Sequence, residues 1–372
     1  MLSGVNEDLA FPLLQRRPEI TPISEPLPSI AGKRVMVTGA GGSIGAELVR
    51  QIATMGPSHL TLVELSELNL YEINATLAEA KVKFPVSPMI ADVRHGYVMA
   101  SVFDHAKPDI VFHAAALKHV PLLENDHNLL EAARTNIGGT YTVAKACCVW
   151  GSHMILVSTD KAVKPSSVMG LTKRVAELAL SALAHRPNSF GLSIVRFGNV
   201  LGSSGSFVPL FRRQIAQGGP VTVTHPDMRR FLMTIREAVS LVLSVSPGAR
   251  PLPGHRLEPW LYVLEMGKQV YIEQVARQLI EQAGLRPGID IAIEYTGVRP
   301  GEKLEEELYY PHENLIRQVL QGISGCPIPR LGLGTLDAIQ DLLRSADERD
   351  VITVKKSLVE LVPTYSGVGV WK

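Results

Sequence analysis

The sequence predicts an α/β fold, a doubly wound parallel sheet with a smaller α/β lobe drawn from the later half of the chain. Three observations carry this. From Lys33 onward, short apolar runs alternate with amphipathic stretches. The runs are rich in Val, Ile and Leu on successive residues, as strands covered by helices on both faces must be. A glycine-rich loop joins the first run to the first amphipathic stretch.

Taken in order, the proline-rich residues 1–30 show little periodicity and read as an extended leader. VMVTG (35–39), HLTLVE (59–64), VSPMIAD (86–92), DIVFHAA (109–115), HMILVST (153–159) and LSIVRFG (192–198) are the expected strands. Gly45–Met55 and Leu129–Val149 are expected helices between them. Right-handed crossovers then wind the helices onto both faces. Past Gly198 the rhythm loosens, through GNVLGSSGSF and then SPGARPLPGHRLEP (246–259), which is loop by composition.

Bulk properties exclude several classes. The 372 residues carry 37 Lys+Arg against 36 Asp+Glu. That balance gives no reason to expect nucleic acid or an anionic membrane surface as partner. Cys147, Cys148 and Cys326 form no C-x-x-C pair and no complete disulfide framework, which suits a reducing cytosol. No apolar run approaches the ~18 residues of a membrane span, and no signal peptide is visible. The expectation is a soluble, cytoplasmic protein with no metal site.

VMVTGAGGSIGAEL places Gly39, Gly42 and Gly45 at G-x-x-G-x-x-G spacing, after a strand and opening a helix. A dinucleotide pyrophosphate needs this arrangement. Small residues let backbone N–H groups close on the anion, and the helix terminus adds about half a positive charge. Gly41, Ser43 and Ile44 belong to the same cradle. Glu64 lies 19 residues beyond Gly45, where a carboxylate would accept from ribose hydroxyls and repel a 2′-phosphate. NAD is therefore favoured over NADP, although Ser66 nearby would tolerate a phosphate. Asp92, with Val93 beside it, is placed to take the adenine amino group, or else is a strand-end turn former. Ala114, Ala115 and Ala116 are small enough for a cofactor to lie against their backbone.

STDKAVKPSSVMGLTK (158–173) raises the chemical question. Ser158-Thr159-Asp160-Lys161 ends the fifth strand, beyond whose carboxyl end ligands sit in an open parallel sheet. Lys173 follows on the next helix, within reach of a nicotinamide ribose. Met169, four residues before Lys173, stands where many nicotinamide enzymes carry a proton-handling tyrosine, and a thioether cannot titrate. Either the chemistry is lost or Asp160 and Lys161 have taken it over.

VTGAGGSIG, HAAALKHVPLLE, TNIGGT, STDKAVKPSSVMGLTKR, VRFGNVLGSSGS and VRPGEKL together resemble the UDP-N-acetylglucosamine 4,6-dehydratases. These are extended short-chain dehydrogenase/reductases of polysaccharide and glycan biosynthesis, built on a Rossmann sheet. The resemblance runs from about Lys33 to Tyr365. Methionine in place of tyrosine matches the configuration-retaining, PglF/WbpM/CapD-like branch. Members of that branch usually carry transmembrane helices ahead of the catalytic domain, and this sequence reads as a form without that anchor. The resemblance implies NAD as cofactor, a UDP-sugar as substrate and a homo-oligomer. It makes Thr159, Asp160, Lys161, Met169 and Lys173 the active-site set. Lys118, Asn199, Arg230, Arg299 and Glu302 become nucleotide-sugar contacts. A guanidinium for diphosphate and a carboxylate for ribose suit the Arg299-x-Gly-Glu302 turn.

The implied reaction oxidises C4, removes water across C5–C6 and reduces C6, with Asp160 as acceptor and acid and Lys161 as base. A C4 epimerase of the same fold and an inactive nucleotide-binding homologue are the alternatives. The expected organisation is an NAD-binding Rossmann domain over 31–198, its sheet completed by about 228–265. A nucleotide-sugar-binding lobe follows from 199–227 and 266–330, and then a C-terminal helical segment over 331–372.

Overall fold

The computed structural model describes residues 13–16, 27–186, 189–247, 258–332 and 334–367; the rest of the leader and most of the 246–259 loop lie outside them. A nine-stranded sheet organises the chain. Its strands are β1 (Arg34–Thr38), β2 (His59–Glu64), β3 (Val86–Ile90), β4 (Ile110–His113), β5 (His153–Val157), β6 (Leu192–Arg196), β7 (Trp260–Leu264), β8 (Ile316–Leu320) and β9 (Ile323–Pro327). Their spatial order is β8-β9-β7-β6-β5-β4-β1-β2-β3. From β3 to β7 every neighbouring pair is parallel. The order reverses between β1 and β4, which opens a crevice at their carboxyl ends.

Alternate side chains of each central strand feed two cores. Val35, Val37, Ile110, Phe112 and Ile155 point to one face. Met36, Val111, Met154 and Leu156 point to the other. Helices α1 (Ser43–Ala53) and α2 (Glu67–Glu79) cover the first face, with Leu48, Ile52, Leu70 and Ile73 buried against it. Helices α3 (Gly96–Ala106), α4 (Thr140–Trp150) and α5 (Val168–Ala184) cover the second, through Phe103, Cys147 and Leu180.

The lobe holds helices α6 (Phe207–Ala216) and α8 (Ile272–Gln282), which pack with Val221, Val223 and Val270. Between them in sequence, α7 (Ile235–Ser244) returns to the first face of the main sheet. A final pair, α9 (Gly334–Asp347) and α10 (Val351–Leu361), closes over the amino-terminal half of α5. That helix therefore buries nearly its whole circumference. Among the described residues no helix is long and apolar enough to cross a membrane.

Three expectations need correction. The leader is not simply extended. Leu13 and Leu14 are buried in the lobe core, and Arg16 donates to the carbonyls of Leu232 and Met266 and pairs with Glu237 at 2.6 Å. Residues 316–327 belong to the main sheet rather than to the lobe. β8 and β9 form a hairpin whose second turn residue, Gly322, has φ 71°, a conformation glycine adopts without strain, and β9 pairs antiparallel with β7. The helix expected over 129–149 starts earlier, at Asp126 capped by Asn125, and widens into a π-helical segment over Ala133–Gly139 before α4.

Candidate active site

The loop after β1 shows why glycine is required at two of its positions. A Cβ on Gly45 would lie 1.9 Å from the Gly39 carbonyl oxygen, so α1 could not start so close beneath the loop. Gly39 has φ +66°, and a Cβ there would meet Ala115 N at 2.7 Å. The β4 end is therefore pressed against the loop, with Ala114 and Ala115 half-buried and Ala116 exposed. Gly42 caps α1, whose first turn contains no acidic residue. Its unpaired N–H groups and dipole favour an anion. Ser43 accepts from Ser204 N at 3.1 Å, which draws the GSSGS segment over this terminus. The cradle fits a dinucleotide pyrophosphate, with Ile44 packed beneath it on the first core.

Glu64, at the end of β2, accepts from the backbone N–H groups of Gly41 (3.0 Å), Leu65 (2.9 Å) and Ser66 (3.1 Å). Its carboxylate is thus fixed at the rim of the loop. Ser66 caps α2 by accepting from Asn69 N. Asp92 sits in a strand-end turn beside Arg94. Burial opposes its ionisation, but Arg94 bonds both of its oxygens and holds its carboxyl below the usual range. The carboxylate thus takes part in a strand-end turn and ion pair, and the adjoining Val93 is core.

β5 ends in a turn of 3₁₀ helix over Asp160–Ala162, capped by Thr159. Thr159 Oγ1 accepts from Lys161 N (3.3 Å) and donates to Asp160 Oδ1 (2.9 Å). Asp160 is fully buried; burial pushes its carboxyl pKa up, against the pull of Lys161, and its Oδ2 finds no hydrogen-bond partner. Lys161 Nζ donates to Asp160 Oδ1 (3.1 Å) and to Asn199 Oδ1 (2.9 Å). It also lies 3.5 Å from Glu306 Oε1. Lys161 faces a cleft also lined by Lys118, Asn199, Arg230, Arg299, Glu302, Lys303 and Glu306. All five residues expected to hold the nucleotide sugar thus share one wall-to-wall opening with the lysine. Asp160 stands behind it, and the partly exposed Thr159 hydroxyl bonds it.

On α5, Lys173 Nζ donates to Val157 O at 2.8 Å, and burial lowers its amine to about 8. Met169 is 5 % exposed and packs in the cluster of Leu123, Val168 and Leu171. It serves as apolar wall, so Met169→Leu is expected to keep most of the turnover, because volume-conserving swaps are mild. A loss of more than about a thousandfold, some 4 kcal/mol of barrier, in a variant with an unchanged melting temperature would contradict that role.

Sequence reasoning missed two features. Glu306 is the buried member of the Glu305-Glu306-Glu307 run. Burial opposes its charge, but Lys161, Arg230 and Lys303 around it hold its carboxyl low. The second feature anchors α5. Arg196, on β6, is fully buried and makes bidentate pairs with Glu177 (2.8 and 2.7 Å) and Glu313 (2.7 and 3.0 Å). Ser158 Oγ donates to Glu177 Oε1 at 2.7 Å, so the residue before Thr159 is structural. Removing one partner from such a network costs about 3–5 kcal/mol.

A glycine loop opening a helix at the switch point and an acid–amine turn beside a cleft rich in basic side chains define an α/β protein of the extended short-chain dehydrogenase/reductase kind. The chain belongs to the polysaccharide biosynthesis protein family, whose pattern its residues 35–325 match. It is 45% identical over 298 residues to the capsular polysaccharide biosynthesis protein CapD of Staphylococcus aureus, covering 79% of this chain and 48% of that protein. With the probable polysaccharide biosynthesis protein EpsC of Bacillus subtilis the identity is 43% over 313 residues, covering 84% of this chain and 50% of that one. The chain thus spans about half the length of these relatives. Among solved structures, Pen from Bacillus thuringiensis superposes with TM-score 0.71 at 29% identity, covering 82% of this chain and 93% of Pen. WbmG of Bordetella bronchiseptica, solved with NAD and UDP, shares the fold with TM-score 0.61 at 17% identity, over 85% of this chain and 96% of WbmG.

Proposed function

We propose that the protein is an NAD-dependent 4,6-dehydratase of a UDP-N-acetylhexosamine, with UDP-N-acetylglucosamine as first choice. Its product is the UDP-4-keto-6-deoxy sugar with C5 configuration retained, feeding polysaccharide or glycan biosynthesis. The observation that carries this reading is the Thr159–Asp160–Lys161 turn, an acid and an amine 3.1 Å apart at the cleft that gathers the cationic side chains. Dehydration across C5–C6 needs such a pair, and C4 epimerisation does not. The solved relative of this fold holding NAD and UDP supports the choice of both ligands.

NAD, held by the glycine loop and Glu64, supplies the acceptor and donor of hydride. The remaining work falls to side chains. Arg230 and Arg299 bind the diphosphate, with Lys118 beside it, while Glu302 takes ribose hydroxyls and Asn199 orients the sugar. Thr159 accepts the C4 hydroxyl proton and passes its own along the 2.9 Å bond to Asp160. The direct acceptance by Asp160 expected from the sequence is thereby modified: Asp160 is reached through Thr159, and burial makes it the better proton holder. It can then return that proton towards the leaving C6 hydroxyl. Lys161, once neutral, takes the C5 proton acidified by the C4 ketone.

Incubation with UDP-N-acetylglucosamine and mass spectrometry of the product tests the reading. A mass lower by one water is expected; an unchanged mass with inverted C4 means an epimerase, and unaltered substrate means an inactive homologue. Calorimetric titration is expected to show NAD binding more tightly than NADP, and Glu64→Arg to narrow the difference. NADP as the tighter ligand of the unaltered protein would sink the ribose role of Glu64.

A further inference from the structure

We propose that Glu306 is a positioning residue: it holds Lys161, Arg230 and Lys303 in place before substrate arrives, then yields Arg230 and Lys303 to the incoming diphosphate while keeping Lys161 aimed. This rests on the nucleotide-sugar reading above and adds a residue to it. Glu306 Oε1 lies 3.5 Å from Lys161 Nζ and 3.9 Å from Arg230 Nε, and Oε2 lies 3.6 Å from Lys303 Nζ. One buried carboxylate therefore faces three cations that all line the cleft.

Its placement is built. Gln269 accepts from Glu306 N (3.0 Å) and donates to Glu306 O (3.2 Å), so both backbone groups of this residue are locked by one side chain. Arg229 N donates to Leu304 O (2.9 Å), and Lys303 Nζ donates to Val163 O (2.8 Å), which ties the same segment to the loop after Lys161. Yet Glu306 Oε2 has no hydrogen-bond partner despite its burial. A buried carboxylate so poorly hydrogen-bonded is costly unless its charge has work to do. The charged groups around it are Asp160, Lys161, Arg230 and Lys303; three basic side chains against the two carboxylates leave one surplus positive charge, a sum that a proton passing from Lys161 to Asp160 does not change. A diphosphate entering this surplus competes with Glu306 for Arg230 and Lys303. Lys161 is the side chain it cannot draw away, because Asp160 and Asn199 hold it from behind.

Glu306→Gln keeps the shape and removes the charge, so binding and turnover should move in opposite directions. UDP, measured by calorimetry, should bind roughly three- to tenfold more tightly, as expected of one like charge removed from a half-shielded site. Turnover of UDP-N-acetylglucosamine should fall about tenfold or more, since Lys161 loses one of its anchors. Glu306→Asp, with the carboxylate withdrawn by one methylene, should move both quantities the same way by less, and serves if the glutamine variant does not fold. A residue that contacts substrate or merely supports the fold would weaken both quantities, and UDP binding unchanged or weaker overturns the proposal. Inorganic diphosphate is titrated alongside. Diphosphate binding without UDP binding in the unaltered protein would defeat the nucleotide-sugar reading, and the glutamine variant would still have to bind diphosphate more tightly. No anion binding by either protein overturns both.

Discussion

Lys161→Met is expected to leave the protein able to oxidise C4 but unable to remove water, so that reduced cofactor accumulates on the enzyme and its absorbance persists. Overall turnover should fall by at least about a thousandfold, some 4 kcal/mol of barrier. The geometry gives the reason. Lys161 is the member of the turn that faces the cleft, and among the described residues it is the amine nearest the buried acid, at 3.1 Å. Methionine has similar length and no proton to exchange. It leaves Thr159 and Asp160 in their 2.9 Å contact, so the route for the C4 hydroxyl proton persists. Asp160→Asn should fail earlier. An amide cannot hold that proton, and no reduced cofactor should form. Stopped-flow absorbance and deuterium uptake from solvent at C5 separate the two variants. If Lys161→Met exchanges C5 deuterium at the unaltered rate, lysine is not the base.

How much of this was legible beforehand varies with the physics. The parallel strands were readable because each is a short apolar run that must be covered on both faces; HLTLVE coincides with β2. β8 and β9 were not, because the exposed half of IRQVL and the small residues of ISGCP carry little apolar signal. The glycine loop was readable from spacing alone, since Gly39 and Gly45 answer to local sterics. Asp92 leaves two readings open because a strand-end carboxylate looks the same in sequence whether it meets a ligand or an arginine two residues on. Glu306 sits among three consecutive glutamates, a pattern that reads as a solvated charge run; only the tertiary approach of Lys161 singles out the middle one. The Arg196–Glu313 pair spans 117 residues, a separation no local pattern reports. Leu13, Leu14 and Arg16 were hidden by the prolines around them.

Gly170→Ala should be strongly damaging, although helix propensity argues the reverse. Alanine inside a helix is intrinsically better than glycine by about 1 kcal/mol, and Gly170 lies in the first turn of α5, where its N–H bonds the capping Ser167 at 3.1 Å. The added Cβ would, however, fall 2.1 Å from the Lys161 carbonyl oxygen, 3.0 Å from its carbon and 3.3 Å from Pro165 Cβ. No side-chain rotation relieves a contact with backbone. Either α5 retreats, and with it Lys173, or the 3₁₀ turn does, and with it Asp160 and Lys161. α5 has little room to retreat, being enclosed by the sheet, α9 and α10 and pinned by the Glu177–Arg196 pair. The turn should therefore give way, by about an ångström. A misplacement of that size costs on the order of a hundredfold in rate, and the strain should lower the melting temperature by several degrees, at roughly 2–4 °C per kcal/mol for a domain of this size or somewhat smaller. UDP affinity, which depends on Arg230, Arg299 and Glu302 rather than on the catalytic turn itself, should change less than turnover. Thermal melts, turnover and UDP titration on the same preparation check all three. Unaltered turnover in Gly170→Ala would mean that the contact between α5 and the catalytic turn does not set the position of Lys161. The glycine in Met169-Gly170-Leu171-Thr172-Lys173 would then need another explanation than the closeness of that carbonyl.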